Sequence, residues 1–246
     1  MKAFTLLLIV LFFSMVPVQA QDEEETDQDF RPMRGGLVGA GAGVTPMWLF
    51  LNVGELNKSL VKAAMPEFSN SGMFLMGGAG FAYIGFVKNL RIGGIGAGGS
   101  MMKQTATNTS EIGISFGGGT IEYVIPFGNF HVAIGGMIGG GSTTLTLTKN
   151  QYDSRPWDDI FSNDIPGNSS SVRHEMTNGF FSYQPMLSLD YIPHPLIMAK
   201  LSGGYFGMSG KTWQLDNKTN ATDVPDLKMG SGFIQLGIFV GAFLSN

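Results

Sequence analysis

The chain has 246 residues, of which 43% are hydrophobic, 14% charged and 36 glycine, with no cysteine and a formal net charge of −4. Charge is well below the roughly 25% of an ordinary soluble domain, and nothing is basic enough to form a nucleic-acid footprint. The absence of cysteine excludes thiol catalysis, thiolate metal sites and disulfide redox chemistry.

Residues 1–20 have the layout of a cleavable export signal: Lys2, an apolar run over 4–16, then Val18-Gln19-Ala20 with small residues at the cleavage point. Residues 21–34 follow as an acidic, solvated tail containing Asp22, Glu23, Glu24, Glu25, Asp27 and Asp29. The barrel domain is expected over 35–246. No later stretch reaches the ~20 apolar residues a spanning helix needs.

Eight segments alternate like strands: 35–44, 72–86, 90–103, 111–125, 130–148, 179–192, 196–206 and 230–244. Connections 45–71, 104–110, 149–178 and 207–229 are longer and polar. Connections 87–89, 126–129 and 193–195 are tight, with Pro, Gly and Asn supplying the turn geometry. Within 45–71, Leu56, Leu60, Val61 and Ala64 share one helical face and Pro66 ends the run, which predicts a short helix over 56–65. Met47-Trp48-Leu49-Phe50-Leu51 before it is expected to lie at the barrel mouth or in the headgroup region.

The alternation is plainest late in the chain. Ile234, Leu236, Ile238 and Val240 oppose Phe233, Gln235 and Phe239. Phe181, Tyr183, Leu187, Leu189 and Tyr191 oppose Ser182, Gln184, Ser188 and Asp190. Ile197, Ala199, Leu201 and Tyr205 oppose Met198, Lys200 and Ser202. Two segments change phase at glycines. Ile112, Ile114 and Phe116 are even-numbered but Ile121, Tyr123 and Ile125 odd, with Gly117-Gly118-Gly119 between, and a similar slip surrounds Gly139-Gly140-Gly141. A β-bulge or glycine kink is expected at each. Strand glycines such as Gly77, Gly78, Gly80, Gly93, Gly94, Gly96, Gly98 and Gly99 are expected to relieve crowding inside a narrow barrel.

The apolar face is expected to point outward. In a water-soluble barrel the other face, mostly Gly, Ala and Ser, would be a poor solubilising surface. Turned outward, the apolar rows form a lipid band, with Tyr83, Tyr123, Tyr191, Tyr205, Phe86 and Phe127 near strand ends as an aromatic girdle. The fold class is therefore all-β: a closed antiparallel up-and-down barrel of about eight strands with one short helix in the first long loop. In this layout the chain resembles the small bacterial outer-membrane β-barrel proteins of the outer membrane protein A and X type. Phe233, Phe239 and Phe243 resemble the aromatic ending that the barrel-insertion machinery reads in that group, and Leu244-Ser245-Asn246 overruns it. The resemblance implies the outer membrane as location, and outer-membrane lipid and the insertion machinery as partners.

Three charges fall on inward positions, Glu122, Asp190 and Lys200. With Arg91 near the tight-turn end they are expected to form a lumenal ion-pair network, since unpaired buried charge is costly. Ser182 or Ser188 with Asp190 and one of His131, His174 and His194 could be drawn as a hydrolytic set, but a polar lumen lining explains them equally. Asp153, Asp158, Asp159 and Asp164 lack the spacing of a calcium loop. The expected function is non-enzymatic and needs no cofactor: a structural or surface-interaction role through loops 149–178 and 207–229. The alternatives are a narrow pore or small apolar-molecule transporter, a membrane-embedded lipid hydrolase, and a soluble periplasmic ligand-binding barrel.

Overall fold

A computed structural model describes residues 37–150, 172–210, 212–216, 219–222, 224 and 230–245. The expected signal and acidic tail, and the aspartates of loop 149–178, lie outside the described residues. In order the elements are β1 (Leu37–Val44), β2 (Met47–Leu49), α1 (Gly54–Lys62), β3 (Met73–Tyr83), β4 (Leu90–Gln104), β5 (Thr109–Phe127), β6 (Phe130–Lys149), β7 (Val172–His194), β8 (Ile197–Ser209), β9 (Trp213–Leu215), β10 (Thr219–Asn220) and β11 (Ser231–Ser245).

The first wall strand is longer than the sequence suggests. β1 and β2 pair in one continuous register with β11 on one side and β3 on the other, so they form a single strand interrupted at residues 45–46. Pro46 has no N–H for the ladder, yet the Leu236 N–H donates to its carbonyl and the Thr45 N–H to that of Gly77. The wall then runs antiparallel through β3, β4, β5, β6, β7, β8 and β11 and closes on β1, a ring of eight strands. From Leu49 the cross-strand partners are Phe233, Gly204, Met186, Gly135, Glu122, Arg91 and Tyr83. Ala82, beside Tyr83, pairs with Ala40, so one circuit returns to the first strand about ten residues from its start, a stagger that tilts the strands.

One end of the ring carries the tight turns 84–89, 128–129 and 195–196; the other carries α1 and the β9–β10 hairpin. These are called the turn end and the loop end. Gly128, at φ +60°, occupies the left-handed position that the two-residue β5–β6 turn requires. The β4–β5 connection, expected to be long, is only residues 105–108, closed by a Thr105 N–H to Asn108 carbonyl bond. β7 begins at Val172 rather than 179, so part of an expected loop is wall.

The Ile, Leu and Val rows nearest the turn end face outward. Ile121 is 56% exposed beside Glu122 at 3%, and Leu187, Leu189, Ile234, Leu236, Ile238 and Val240 are likewise exposed. No bulge occurs at either glycine triplet: β5 pairs with β6 in one unbroken register from Thr109–Thr148 to Phe127–Phe130. What changes at the triplets is which face is apolar. Beyond them Ile112, Ile114, Phe116 and Leu145 are buried, whereas Ser115, Ser142, Thr144 and Thr146 occupy the outer face. A bulge interrupts the ladder elsewhere, between Tyr191 and His194.

The glycines divide in the same way. Gly93, Gly135 and Gly141 face inward, where a Cβ would meet Phe81 Cα at 2.9 Å, Glu122 Cγ at 2.8 Å and Phe180 Cζ at 2.6 Å. Gly78, Gly80, Gly94, Gly96 and Gly98, expected inside, face outward, and a Cβ there would make only ordinary contacts of 3.4–3.5 Å. Tyr83, expected in the girdle, turns inward against Phe81 at 6.0 Å between ring centroids. Phe130 and Tyr191 stack on the outside at the turn end, 4.8 Å apart, and Tyr183 and Tyr205 lie 6.3 Å apart nearer the loop end.

The loop end has an apolar core. Leu56 and Leu60 of α1 are buried with Leu51, Val53, Met73, Leu75, Ile112, Leu145 and Trp213, while Val61, on the expected face, is 56% exposed. Asn57 ties α1 to the following segment by donating from Nδ2 to the Phe68 carbonyl and accepting the Phe68 N–H, both at 2.9 Å.

Candidate functional site

Four charged side chains meet in the turn-end half of the lumen. Arg91 on β4, Glu122 on β5, Asp190 on β7 and Lys200 on β8 all occupy inward positions. The ladder itself sets Arg91 opposite Glu122 and Asp190 opposite Lys200. Arg91 Nε donates to Glu122 Oε2 at 2.8 Å and Nη1 to Asp190 Oδ2 at 2.6 Å, while Lys200 Nζ donates to Glu122 Oε1 at 2.6 Å. Glu122 thus joins both cations, and Arg91 ties opposite sides of the ring together.

Two positive and two negative charges cancel within the cluster. Arg91 and Asp190 are fully buried. The Arg91 guanidinium also lies over the Phe81 ring, 4.6 Å from its centroid, which adds cation–π attraction in a desolvated setting. Ser188 Oγ donates to Ser202 Oγ at 3.0 Å beside the cluster. Toward the loop end the lumen is filled by Ile95, Phe116, Met137, Phe180, Phe206 and Phe233, all buried. An interior of this diameter is closed by side chains, here with a charged cluster in one half and, in the other, apolar side chains interspersed with buried Ser182, Gln184, Thr143 and Asn178.

Among the described residues, none of the hydrolytic alternative's serines hydrogen-bonds to a histidine. Ser182 Oγ donates to Met137 Sδ at 4.0 Å, and Ser188 is engaged with Ser202. Asp190 is held by Arg91. His131 stands opposite Asp190 in the ladder, buried, and its Nδ1 has no partner among the described residues. His174, expected in a loop, lies on β7 at the exposed rim, where Nδ1 is 3.1 Å from Asp216 Oδ2 and Asp216 Oδ1 accepts the Glu175 N–H. His194 Nδ1 accepts the Leu196 N–H within the β7–β8 turn. Among the described residues no three His, Asp or Glu side chains converge as metal ligands.

Among the described residues, hollows open at both ends of the ring. One, of about 160 Å³, opens at the turn end between Leu37, Tyr83, Asn129, His131 and Pro195. The other, of about 250 Å³, lies at the loop end between α1 and the β6–β7–β9 wall, lined by Leu56, Leu60, Leu145, Leu147, Met176 and Trp213. The loop-end core escapes sequence inspection, because its residues come from segments far apart in the chain. Ile112 and Ile114 signal it only once their face is known.

The architecture is a closed antiparallel ring of eight strands with one short helix. The chain is similar to the attachment invasion locus protein Ail of Yersinia pestis, solved with the heparin analogue sucrose octasulfate (11% identity, 85% of this chain and 99% of that chain, TM-score 0.41). It is also similar to Ail in a phospholipid bilayer nanodisc (13%, 84% and 99%, TM-score 0.33). The outer-membrane protease OmpT of Escherichia coli matches at 10% identity over 87% of this chain and 98% of that chain, with a TM-score of 0.32. No protein-family model and no curated protein sequence matches the chain.

Proposed function

We propose that this chain is a non-enzymatic outer-membrane β-barrel with a sealed lumen, acting as a structural or surface-interacting protein through its loop end. The observation that carries the reading is the outward belt of Ile, Leu, Val and aromatic side chains around the turn-end half. From Phe181 to Tyr191, at about 3.3 Å per residue and a tilt of roughly 40°, the belt is about 25 Å tall, the height of an outer-membrane apolar band. Outward apolar rows disfavour the soluble periplasmic barrel. Closure of the ladder leaves the wall without a strand edge, as lipid requires. In this orientation the turn end faces the periplasm and the loop end the exterior.

The ion-pair cluster then acts as a plug rather than a conduit. Every cation in it is held by a carboxylate, and above it Ile95, Phe116, Met137, Phe206 and Phe233 pack across the lumen. Membrane fractionation and heat-modifiable migration in mild detergent test the location, and a freely soluble mature chain overturns it. Single-channel recording on the purified protein in bilayers tests the plug. No steady conductance is expected, and a steady conductance that changes in Lys200→Ala overturns it. The loop-end apolar hollow favours one second reading, a binding or transfer role for small apolar molecules.

A further inference from the structure

A cavity of about 20 Å³ lies inside the ring where the ion-pair cluster meets Ile95 of the apolar stack, with Thr45, Glu122, Lys200, Ser202 and Gln235 on its wall. Thr45 and Gln235 are 2% and 4% exposed, yet Thr45 Oγ1 and Gln235 Nε2 have no hydrogen-bond partner among the described residues. Buried polar atoms without a partner are costly and uncommon. Two neighbours on the wall have donors to spare. Lys200 Nζ carries three N–H bonds and gives one of them to Glu122 Oε1. Ser202 Oγ accepts from Ser188 and keeps its own proton for another bond. The cavity also marks a particular place in the fold. Thr45 precedes Pro46, where the first wall strand is interrupted, and Gln235 precedes Leu236, whose N–H donates to the Pro46 carbonyl. Gln235 stands opposite Met47 on one side and Ser202 on the other. These polar groups therefore come from both sides of the seam where β11 closes on the first strand.

We propose that this cavity is the seat of one water molecule that links Thr45 to Gln235 across the closing seam and joins both to the Lys200–Glu122 pair. Roughly 10–15 Å³ is the least volume that admits a water, and a buried water needs two to four polar partners, which this wall supplies. An ion suits the wall less well. Arg91, Glu122, Asp190 and Lys200 already cancel, so any ion would leave a net charge in a closed interior. A cation would also face the Lys200 ammonium. Water answers both kinds of group, accepting from an amide N–H and donating to a hydroxyl oxygen. It serves the Gln235 amide whichever way its oxygen and nitrogen are turned. The role that follows is mechanical. Pro46 cannot donate to the ladder, and the bound water supplies a side-chain link across the seam at that point.

The seat is tested by a crystal structure of the protein at a resolution that shows ordered waters, with separate crystals soaked in bromide and in thallium(I). A spherical peak within hydrogen-bond distance of Thr45 Oγ1 and the Gln235 amide is expected, with no anomalous signal from either soak. An anomalous peak makes the seat an ion site and overturns the assignment, as does the absence of any peak. The role is tested by hydrogen exchange in Thr45→Val, which keeps the shape of the side chain and removes the hydroxyl. The Leu236 N–H, beside the seat, is expected to exchange about tenfold faster. The Gly241 N–H, which bonds the Leu196 carbonyl further along the same strand, is expected to keep its rate. Thr45→Ser retains the hydroxyl and is expected to exchange like the unaltered protein at both sites. Unchanged exchange at Leu236 in Thr45→Val, or equal acceleration at Gly241, overturns the seam link. A Thr45→Ser rate as fast as that of Thr45→Val assigns the effect to packing and overturns it as well.

Discussion

On the turn-end side of Gly117, β5 places Ile121, Tyr123 and Ile125 outside and Glu122 and Val124 inside. On the loop-end side the same strand places Glu111 and Ser115 outside and Ile112, Ile114 and Phe116 inside. β6 repeats the exchange, with Ile134 and Ile138 outside in one half and Leu145 inside in the other. One continuous wall therefore presents two outer surfaces, one apolar and one polar. Behind the apolar outer rows the interior holds the Arg91–Glu122–Asp190–Lys200 ion pairs; behind the polar outer rows it is mainly hydrophobic, with Ser110, Thr143 and Asn178 buried among the apolar side chains. The β5–β6 register is unbroken on both sides, so the glycine rows mark a change of environment rather than a change of fold.

The largest test of this contrast is Glu122→Leu. It leaves Lys200 without its carboxylate and Arg91 with one of its two, and should cost about 3–5 kcal/mol of unfolding free energy in bilayers. Glu122→Leu/Lys200→Met, which restores charge balance, should recover most of that loss. If the single and double variants unfold alike, the turn-end interior does not depend on pairing.

Next in size is a charge placed on each outer face. Leu189→Lys, in the belt, should cost about 2–4 kcal/mol, whereas Thr144→Lys should stay within about 0.5 kcal/mol. Equal costs in bilayer unfolding would abolish the distinction between the two halves. A subtler version removes one methylene: Ile114→Val should cost about 1 kcal/mol because Ile114 is buried in packed protein, and Ile121→Val close to nothing because lipid refills the space.

Most of the wall is legible in the amino-acid order, because a strand with one apolar face betrays itself by a period of two. Asp190 and Lys200 stand out as polar members of inward rows whose outward neighbours are Leu189, Tyr191 and Leu201, so the sequence points to the charges that the ladder brings together. The polarity exchange at Gly117–119 is not legible in this way. A register slip and a swap of which face is apolar both move the apolar residues by one position, and only the pairing with β6 tells them apart. Tyr83 escapes for a related reason, since an aromatic favours a strand equally on either face. Pro46 reads as a strand end, and only the carbonyl bonds from Leu236 and Thr45 carry the wall past it. Phe81 beneath Arg91, and the gathering of Leu60, Leu145 and Trp213, depend on closure of the ring.

The smallest effect bears on whether the two halves unfold together. Ala64 ends α1 at φ +55°, the left-handed position glycine favours, and the Met65 N–H bonds back to the Leu60 carbonyl there. Ala64→Gly relieves the strained backbone but adds chain entropy to the unfolded state, so the net gain should be only about 0.5 kcal/mol. Its value lies in where the gain appears. If the loop-end core opens as its own cooperative unit, amides of α1 and of Ile112 and Ile114 should exchange more slowly while those of Glu122 to Ile125 keep their rates. Slowing by the same factor at all these sites would mean that the ionic and apolar halves share one unfolding transition, with the unbroken β5–β6 ladder transmitting stability along the whole wall.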